Sequence, residues 1–493
     1  MIQGYDPRTG RPVGEPVAET SDAGVDELVT AAAAAARAWE MTSPFTRAEV
    51  LTAVAAALDE HSAELAELAD TETALGAARL TGEVARSTGQ LRLFAEVLHD
   101  GGFLDVAVTE ADGAGTPDLR RISRPVGPVA VFAASNFPFA FSVAGGDTAS
   151  ALAAGCPVIV KAHEGHPRTS VATGAVIARA LADAGAPAGV FGMVYGVQAG
   201  ARLLRHPALA AAGFTGSARG GLALQRICAG REVPIPFFGE LGSVNPVVIL
   251  PGAAASRAQE IAAGYAGSLT LGAGQFCTNP GLLFVPEDEG LLDAIAAAVT
   301  ASQGGPMLSE RIHDGFEAAV RELASCAAVK PLATGQPGEG PWSATPQVFH
   351  VGLDEFAAGL PGLATERFGP AGLVIGYRDP GELVAVLAGL GGNLAGCIHL
   401  DSAREQDRAA ATRVMEVFSH TTGRVVCNGW PTGVAVAWAQ HHGGPWPATT
   451  APAYTSVGAA AIRRWLVPVV YQNWPPILLP SGLRPGSRPL MAP

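Results

Sequence analysis

The chain has 493 residues, 48% of them apolar and only 16% charged, which is enough apolar material for more than one core and excludes a disordered protein. Its net charge of −13 leaves no basic excess to neutralise phosphates, so nucleic acid is excluded as the main partner. Six scattered cysteines, none in a CxxC pair, predict free thiols in a reducing, cytoplasmic compartment, and the charged start "MIQGYDPRTGRPVGEP" shows no signal segment.

In chain order, residues 21–40 predict a helix capped by Ser21 or Asp22, and 45–99 continue with the Ala/Leu/Glu patterns of surface helices. Alternating apolar residues around a Gly/Asp/Pro turn predict a β-hairpin near 103–124. The uncharged run 125–146 is broken by Pro125, Pro128 and Pro138, so it reads as strand, loop and helix start and not as a membrane span. Short apolar runs then alternate with helical stretches. "VGPVAVFAA" precedes a helix at 140–154, "GCPVIVKA" one at 168–184, "GVFGMVYG" one at 198–205 and "LAAAGFTGS" one at 218–229. A second series runs from "NPVVIL" through "GLLFVP", "AGLVIGY" and "AGCIHL" to "GRVVCNG". Such alternation predicts parallel sheets with crossover helices, an α/β fold. The proline-rich tail 456–493 reads as an arm.

Four stretches carry candidate chemistry. "LGAGQFCTNPG" presents one thiol, Cys277, among glycines that let the backbone turn sharply. A free cysteine is more often a small buried hydrophobe than a nucleophile, so Cys277 alone decides little. In "FFGELGSVNP", Glu240 is placed on a glycine-flanked turn, where poor solvation would raise its pKa toward the range of a general base. In "FAASNFPFAF", Asn136 offers an amide suited to an oxyanion, or simply forms a turn. In "PVIVKAHEGHP", Lys161 closes a buried strand, where parallel sheets present ligands; it binds ribose or phosphate there, or snorkels to solvent.

Together with "GFTGSARGG", "ERFGPAG" and "HGGPWPATT", these motifs resemble, in order and nearly end to end, the aldehyde dehydrogenase superfamily. "GQFCTNPG", "ELGSVNP", "NGWPTGV" and "SVGAAAIRRWLVPVVYQNWP" are most similar to the branch of 2-oxoglutarate semialdehyde (2,5-dioxopentanoate) dehydrogenases and NADP-linked fatty aldehyde dehydrogenases. The resemblance implies a Rossmann-type cofactor domain (1–102 and 125–235), an α/β catalytic domain (236–435) and an oligomerisation element (103–124 and 456–493) that builds a homodimer or homotetramer. It implies that Cys277 forms a thiohemiacetal and then a thioester with an aldehyde, that Asn136 and the Cys277 N–H hold the oxyanion, and that Glu240 activates water to release an acid. It further implies an NAD or NADP site on Lys161, Glu164, Gly216, Ser217, Gly221, Glu366 and Phe368. Glu164, repelling a 2′-phosphate, favours NAD, while the branch favours NADP and Lys161, Arg168 or His163 would offset the repulsion. Phe137, Phe141, Phe276 and Trp430 are candidate linings of the aldehyde tunnel, Trp430 equally placed to pack outside it. His441 and His442 of "QHHGGP" read as loop structure, and no metal site is expected. The competing reading is a cysteine thioester hydrolase or acyltransferase without redox chemistry, against which the cofactor motifs argue.

Overall fold

The computed structural model describes residues 1–484. Two sheets organise it, the first wholly parallel and the second parallel except for one antiparallel edge strand. The first has five strands in the spatial order Phe191–Val194, Val158–Lys161, Val129–Phe132, Ala211–Thr215, Phe237–Glu240. All neighbours are parallel, with Phe132 opposite both Lys161 and Phe214, and Thr215 opposite Glu240. Both faces are buried, as parallel sheets require. Val129, Val131, Val158 and Val160 enter one apolar cluster, while Ala130, Phe132, Ile159 and Ala212 enter another on the opposite face. That is the period-two alternation of a strand sandwiched between helical layers.

The second sheet has seven strands, of which the central ones are Gln347–Gly352, Ala371–Tyr377, Leu282–Pro286, Val247–Ile249 and Gly396–His399. It too divides its residues between two clusters, Val248, Phe284 and Ile375 on one face and Val247, Leu283 and Val374 on the other. Strand order turns back on itself in the first sheet: the chain moves outward from Val129–Phe132 to Phe191–Val194, then returns to the other side at Ala211–Thr215. Crevices at such reversals, beyond the carboxyl ends of the strands, are where open α/β sheets take ligands.

The helix predicted over 21–40 spans Asp22–Met41, with the Ser21 hydroxyl accepting from the Gly24 N–H. The helix expected over 140–154 begins only at Gly146. The reason is the Glu83 carboxylate, whose Oε1 accepts from the N–H groups of Phe139 and Ala140 at 2.8 and 3.0 Å and holds 137–145 as an irregular loop. Glu240 lies not on a turn but at the end of a strand of the first sheet, so the passage to the second sheet falls after Glu240 and not after residue 235. An N-terminal hairpin, Ile2–Asp6 with Arg11–Val17, and a short, solvent-facing edge strand, Lys330–Thr334, escaped the apolar-run criterion.

The hairpin region near 103–124 forms two antiparallel strands, Ala107–Thr109 and Leu119–Pro125, and Leu466–Gln472 from the tail pairs along the second of them over seven residues. Residues 485–493 of the expected arm lie outside the described residues. No helix among those described is long and apolar enough to cross a membrane.

Candidate active site

Four of the candidate residues share one edge of the first sheet. Lys161 and Glu240 are the last residues of their strands, Gly216 follows Ala211–Thr215, and Asn136 stands four residues beyond Phe132. The second sheet supplies its opposite edge. Cys277 precedes Leu282–Pro286 and Glu366 precedes Ala371–Tyr377. The site therefore lies where the carboxyl ends of one parallel sheet meet the amino ends of another, joined by the short link 241–246.

The Cys277 loop is built by close approach. Gly272, Ala273 and Gly274 all have positive φ. A Cβ on Gly274 would stand 2.2 Å from the carbonyl carbon of Gly369, so only glycine lets the 366–370 loop close against the thiol loop. The Asn245 carboxamide then fixes the thiol loop from below, donating to the carbonyls of Cys277 and Asn279 at 2.8 and 2.9 Å. Asn136 Nδ2 donates one hydrogen to the Gln275 carbonyl at 3.0 Å, which leaves its other hydrogen beside the sulfur-bearing turn. The Cys277 N–H donates to no other described residue and faces its own sulfur.

The decisive contact involves a residue read from sequence as loop structure. His442 is fully buried, and its Nε2 stands 2.9 Å from Glu240 Oε1 and 3.8 Å from Cys277 Sγ. The backbone seats it: its N–H donates to Thr455 Oγ1 and its carbonyl accepts from the Ser456 N–H. The Ser456 hydroxyl donates to the other oxygen of Glu240. The three ligand-type atoms of Glu240, Cys277 and His442 lie within 4.8 Å of one another. The signal was present in "QHHGGP", but no spacing linked it to Glu240 or Cys277, which lie some hundreds of residues earlier in the chain.

This surrounding reverses the expectation for Glu240. Burial pushes its pKa up, but the His442 imidazole 2.9 Å away, the Ser456 hydroxyl and the Arg464 guanidinium outweigh burial and hold it below the ordinary carboxylate value. Cys277 goes the other way. Burial raises its pKa well above the ordinary thiol value, and the carboxylates of Glu240 and Glu366 push it further; Arg86 opposes them. Glu366 itself is raised to about 7 by burial.

The cofactor candidates also converge. Ser217 caps the helix Ala218–Ala229, its hydroxyl accepting from the Gly220 N–H, and leaves the N–H groups of Ala218 and Arg219 without acceptors among the described residues. A Cβ on Gly216 would meet Phe214 at 2.7 Å and one on Gly221 would meet Leu241 at 2.4 Å, so both glycines let this helix press onto the sheet. That free helix start beside the strand-order reversal fits a pyrophosphate. Lys161 is buried and paired with Glu164. Burial holds the His163 pKa well below its ordinary value, so it supplies no cation there at neutral pH. Glu366 accepts from the Ser243 N–H at 3.4 Å, and half-buried Phe368 lies two residues on.

Phe137, Phe141 and Phe276 form one aromatic wall, with ring centroids 5.3 Å apart for Phe137–Phe141 and 5.2 Å for Phe137–Phe276. Phe141 continues it to His442 at 6.0 Å. Trp430 is not part of this wall. It packs on Tyr265 and His399 in a core of the second sheet, and a Cβ on Gly264 would stand 2.3 Å from its indole nitrogen. Its ring thus fills a structural gap and does not narrow a tunnel mouth beside the three phenylalanines.

The sequence pattern of the aldehyde dehydrogenase family matches residues 1–445. The chain belongs to the aldehyde dehydrogenase family. It is 44% identical to alpha-ketoglutaric semialdehyde dehydrogenase 2 of Azospirillum brasilense, over 100% of this chain and 95% of that protein. It is 41% identical to alpha-ketoglutaric semialdehyde dehydrogenase of Acinetobacter baylyi, over 95% and 90%. Among solved structures, aldehyde dehydrogenase C of Pseudomonas syringae shares the fold at 24% identity with a TM-score of 0.81, covering 96% of this chain and 94% of that one. The chain is accordingly an oxidoreductase that converts aldehydes to carboxylic acids with NAD or NADP as hydride acceptor.

Because burial and two carboxylates keep the thiol protonated, alkylation of Cys277 by iodoacetamide in the cofactor-free enzyme is expected to be slow at pH 7 and still rising at pH 9. Peptide-resolved mass spectrometry separates it from exposed Cys427. A plateau reached below pH 8 would contradict the environment described.

Proposed function

We propose that the enzyme oxidises a semialdehyde of the 2-oxoglutarate semialdehyde type, through Cys277, to the corresponding dicarboxylic acid, with NAD preferred over NADP. The single observation that carries the chemistry is the His442 nitrogen placed between the Cys277 sulfur and the Glu240 carboxylate. The substrate type follows from the two relatives more than 40% identical over nearly the whole chain.

Cys277 is the nucleophile. Its proton passes to the His442 nitrogen and on to solvent before hydrolysis begins, and the sulfur adds to the aldehyde carbon. The Asn136 amide and the Cys277 N–H receive the oxygen that becomes negative; losing one such donor typically costs about 3–4 kcal/mol of barrier. A bound dinucleotide would supply the hydride acceptor for this carbon. Lys161, the start of helix Ala218–Ala229 and Glu366 are the residues that would hold it. The thioester that remains is attacked by water. Glu240, ionised because His442 and Ser456 hold its charge, takes the water proton, and the Cys277 thiolate departs as the acid forms. A hydrolysing base beside the thiol favours acid as product over transfer to another thiol.

Lys161–Glu164 pairing supports the preference for NAD. The carboxylate engages the cation that a 2′-phosphate would need and adds a repulsion of its own. We also propose that the enzyme is a homo-oligomer. The strand Leu466–Gln472 has one edge unpaired among the described residues, and Val467, Val470, Trp474, Ile477 and Leu478 are exposed along this arm.

Three measurements test these statements. Glu240→Gln should release one equivalent of NADH per active site on mixing with aldehyde and then stop, with the acyl-enzyme visible by intact mass; unchanged turnover would remove Glu240 from the mechanism. Glu164→Ser should raise kcat/KM for NADP by about tenfold, roughly 1.4 kcal/mol for one partly screened charge; an unchanged NADP value would end the argument from Glu164. Val470→Lys combined with Ile477→Lys should lower the solution mass measured by light scattering, and an assembly of undiminished mass would place the interface elsewhere.

A further inference from the structure

One face of the helix Ala77–Asp100 carries Arg79, Glu83 and Arg86, spaced four and three residues apart. The first two have structural work. Arg79 donates to the Asn136 carbonyl at 2.7 Å, and Glu83 accepts from the N–H groups of Phe139 and Ala140. They clamp both ends of the loop that carries Asn136 and Phe137. Arg86 does neither. It makes no hydrogen bond and no ion pair among the described residues, although Glu83 shares its helix face. Its guanidinium carbon sits 5.9 Å from the Phe137 centroid and 5.3 Å from the Phe141 centroid. None of its nitrogens is sealed away, in contrast to Arg79 Nη1.

A half-buried guanidinium resting on two rings keeps its in-plane N–H fork free. Arg86 reaches the reacting groups through Phe141, which also neighbours His442. The aldehyde carbon belongs at Cys277, and the far end of a short substrate running along the phenylalanine wall arrives at Arg86. We propose that Arg86 is the residue that recognises the distal carboxylate of the substrate, by a bidentate pair that selects short aldehydes ending in a carboxylate over neutral aldehydes of the same length. This rests on the reading of Cys277 as the nucleophile. The rings of Phe137 and Phe141 hold the guanidinium plane, so little ordering is needed when the carboxylate binds.

Arg86 also faces Glu83, Cys277 and Glu240 electrostatically, so a role confined to stabilising the thiolate is the alternative that must be separated. The readout is the ratio of kcat/KM for succinic semialdehyde to that for butanal, taken for the native enzyme, Arg86→Met and Arg86→Lys. Loss of a charge-assisted fork predicts a fall in this ratio of about 10- to 100-fold in Arg86→Met. The fall appears mainly in KM, and Arg86→Lys, which keeps a point charge, lies between. A ratio unchanged while both substrates lose rate together would overturn the proposal in favour of the thiolate role. So would a native enzyme that prefers butanal.

A second measurement needs no turnover. Glutarate should protect Cys277 from iodoacetamide in the native enzyme and lose that effect in Arg86→Met, and equal protection in both would overturn the assignment. A native enzyme that forms NADH with neither aldehyde, yet shows Arg86-dependent protection by glutarate, would instead count against the oxidation assigned to Cys277.

Discussion

The site depends on one buried amide. Asn245 is wholly excluded from solvent and adopts a positive φ of 44°, at the end of the link that leaves the first sheet at Glu240 and enters the second at Val247. Its nitrogen donates to the carbonyls of Cys277 and Asn279, while its oxygen accepts from the Ser243 hydroxyl and the Ala395 N–H. A single side chain therefore ties the thiol loop, the inter-sheet link and the start of the strand Gly396–His399 into one piece. Each of these partners is buried except the half-buried Cys277, and a buried polar group left unpaired costs about 1–3 kcal/mol. The amide is thus the cheapest arrangement for all of them at once. Asn393 repeats the device alongside, its oxygen accepting from the N–H groups of Val244 and Asn245. Cys277 and Glu240, remote in sequence, are held at fixed separation because the six residues between the two sheets have no freedom left.

Around that frame the charges are arranged asymmetrically. The sulfur lies among carboxylates and stays a thiol; the carboxylate lies beside an imidazole and a hydroxyl and stays ionised. A thiol that is mostly protonated resists oxidation and stray alkylation. The cost is that addition to an aldehyde needs a proton acceptor within reach, and the same contact through His442 supplies it. Glu366, raised to about 7, contributes to this resting state because its charge also opposes that of the thiolate.

How much was legible in the sequence follows from how each feature is encoded. Apolar runs of four to seven residues followed by helical stretches are local, and they located nine strands of the two sheets, including Val129–Phe132 and Ala371–Tyr377. Glycine positions encode close approach, so "GAGQFC" and "GFTGS" pointed at their loops correctly, and the Gly274–Gly369 contact gives the reason. What failed was anything set by partners distant in the chain. The pKa of Glu240 depends on His442 and Ser456, some two hundred residues away, and a glycine-flanked glutamate has no local mark of either. Trp430 left two placements open from sequence alone, and Gly264, distant in the chain, leaves the gap its indole fills. The helix Ala77–Asp100 read as a surface helix from its Ala/Leu/Glu pattern, and Arg79, Glu83 and Arg86 on it went unmarked. Their spacing on one face was the available signal, and its meaning needed the 136–140 loop that packs there.

A carboxylate held below its ordinary pKa is a weak base, and a weak base would be a poor choice for removing the proton of water from an ester or an amide. A thioester changes the requirement. Its carbonyl is activated, and its leaving group is a thiolate that departs without needing a proton first. The demanding condition becomes availability of the base, not its strength. Glu240 meets it by being ionised at any pH where the enzyme would work, whereas a glutamate raised by burial alone would be partly protonated near neutrality. The same low pKa makes Glu240 a poor resting place for the thiol proton, so that proton is passed on instead of trapped, and the His442 nitrogen between sulfur and carboxylate gives it a route in both half-reactions. The pairing of an electrostatically discouraged thiol with an electrostatically favoured carboxylate is therefore matched to chemistry that makes a thioester and then hydrolyses it, and poorly matched to chemistry that would store an acyl group.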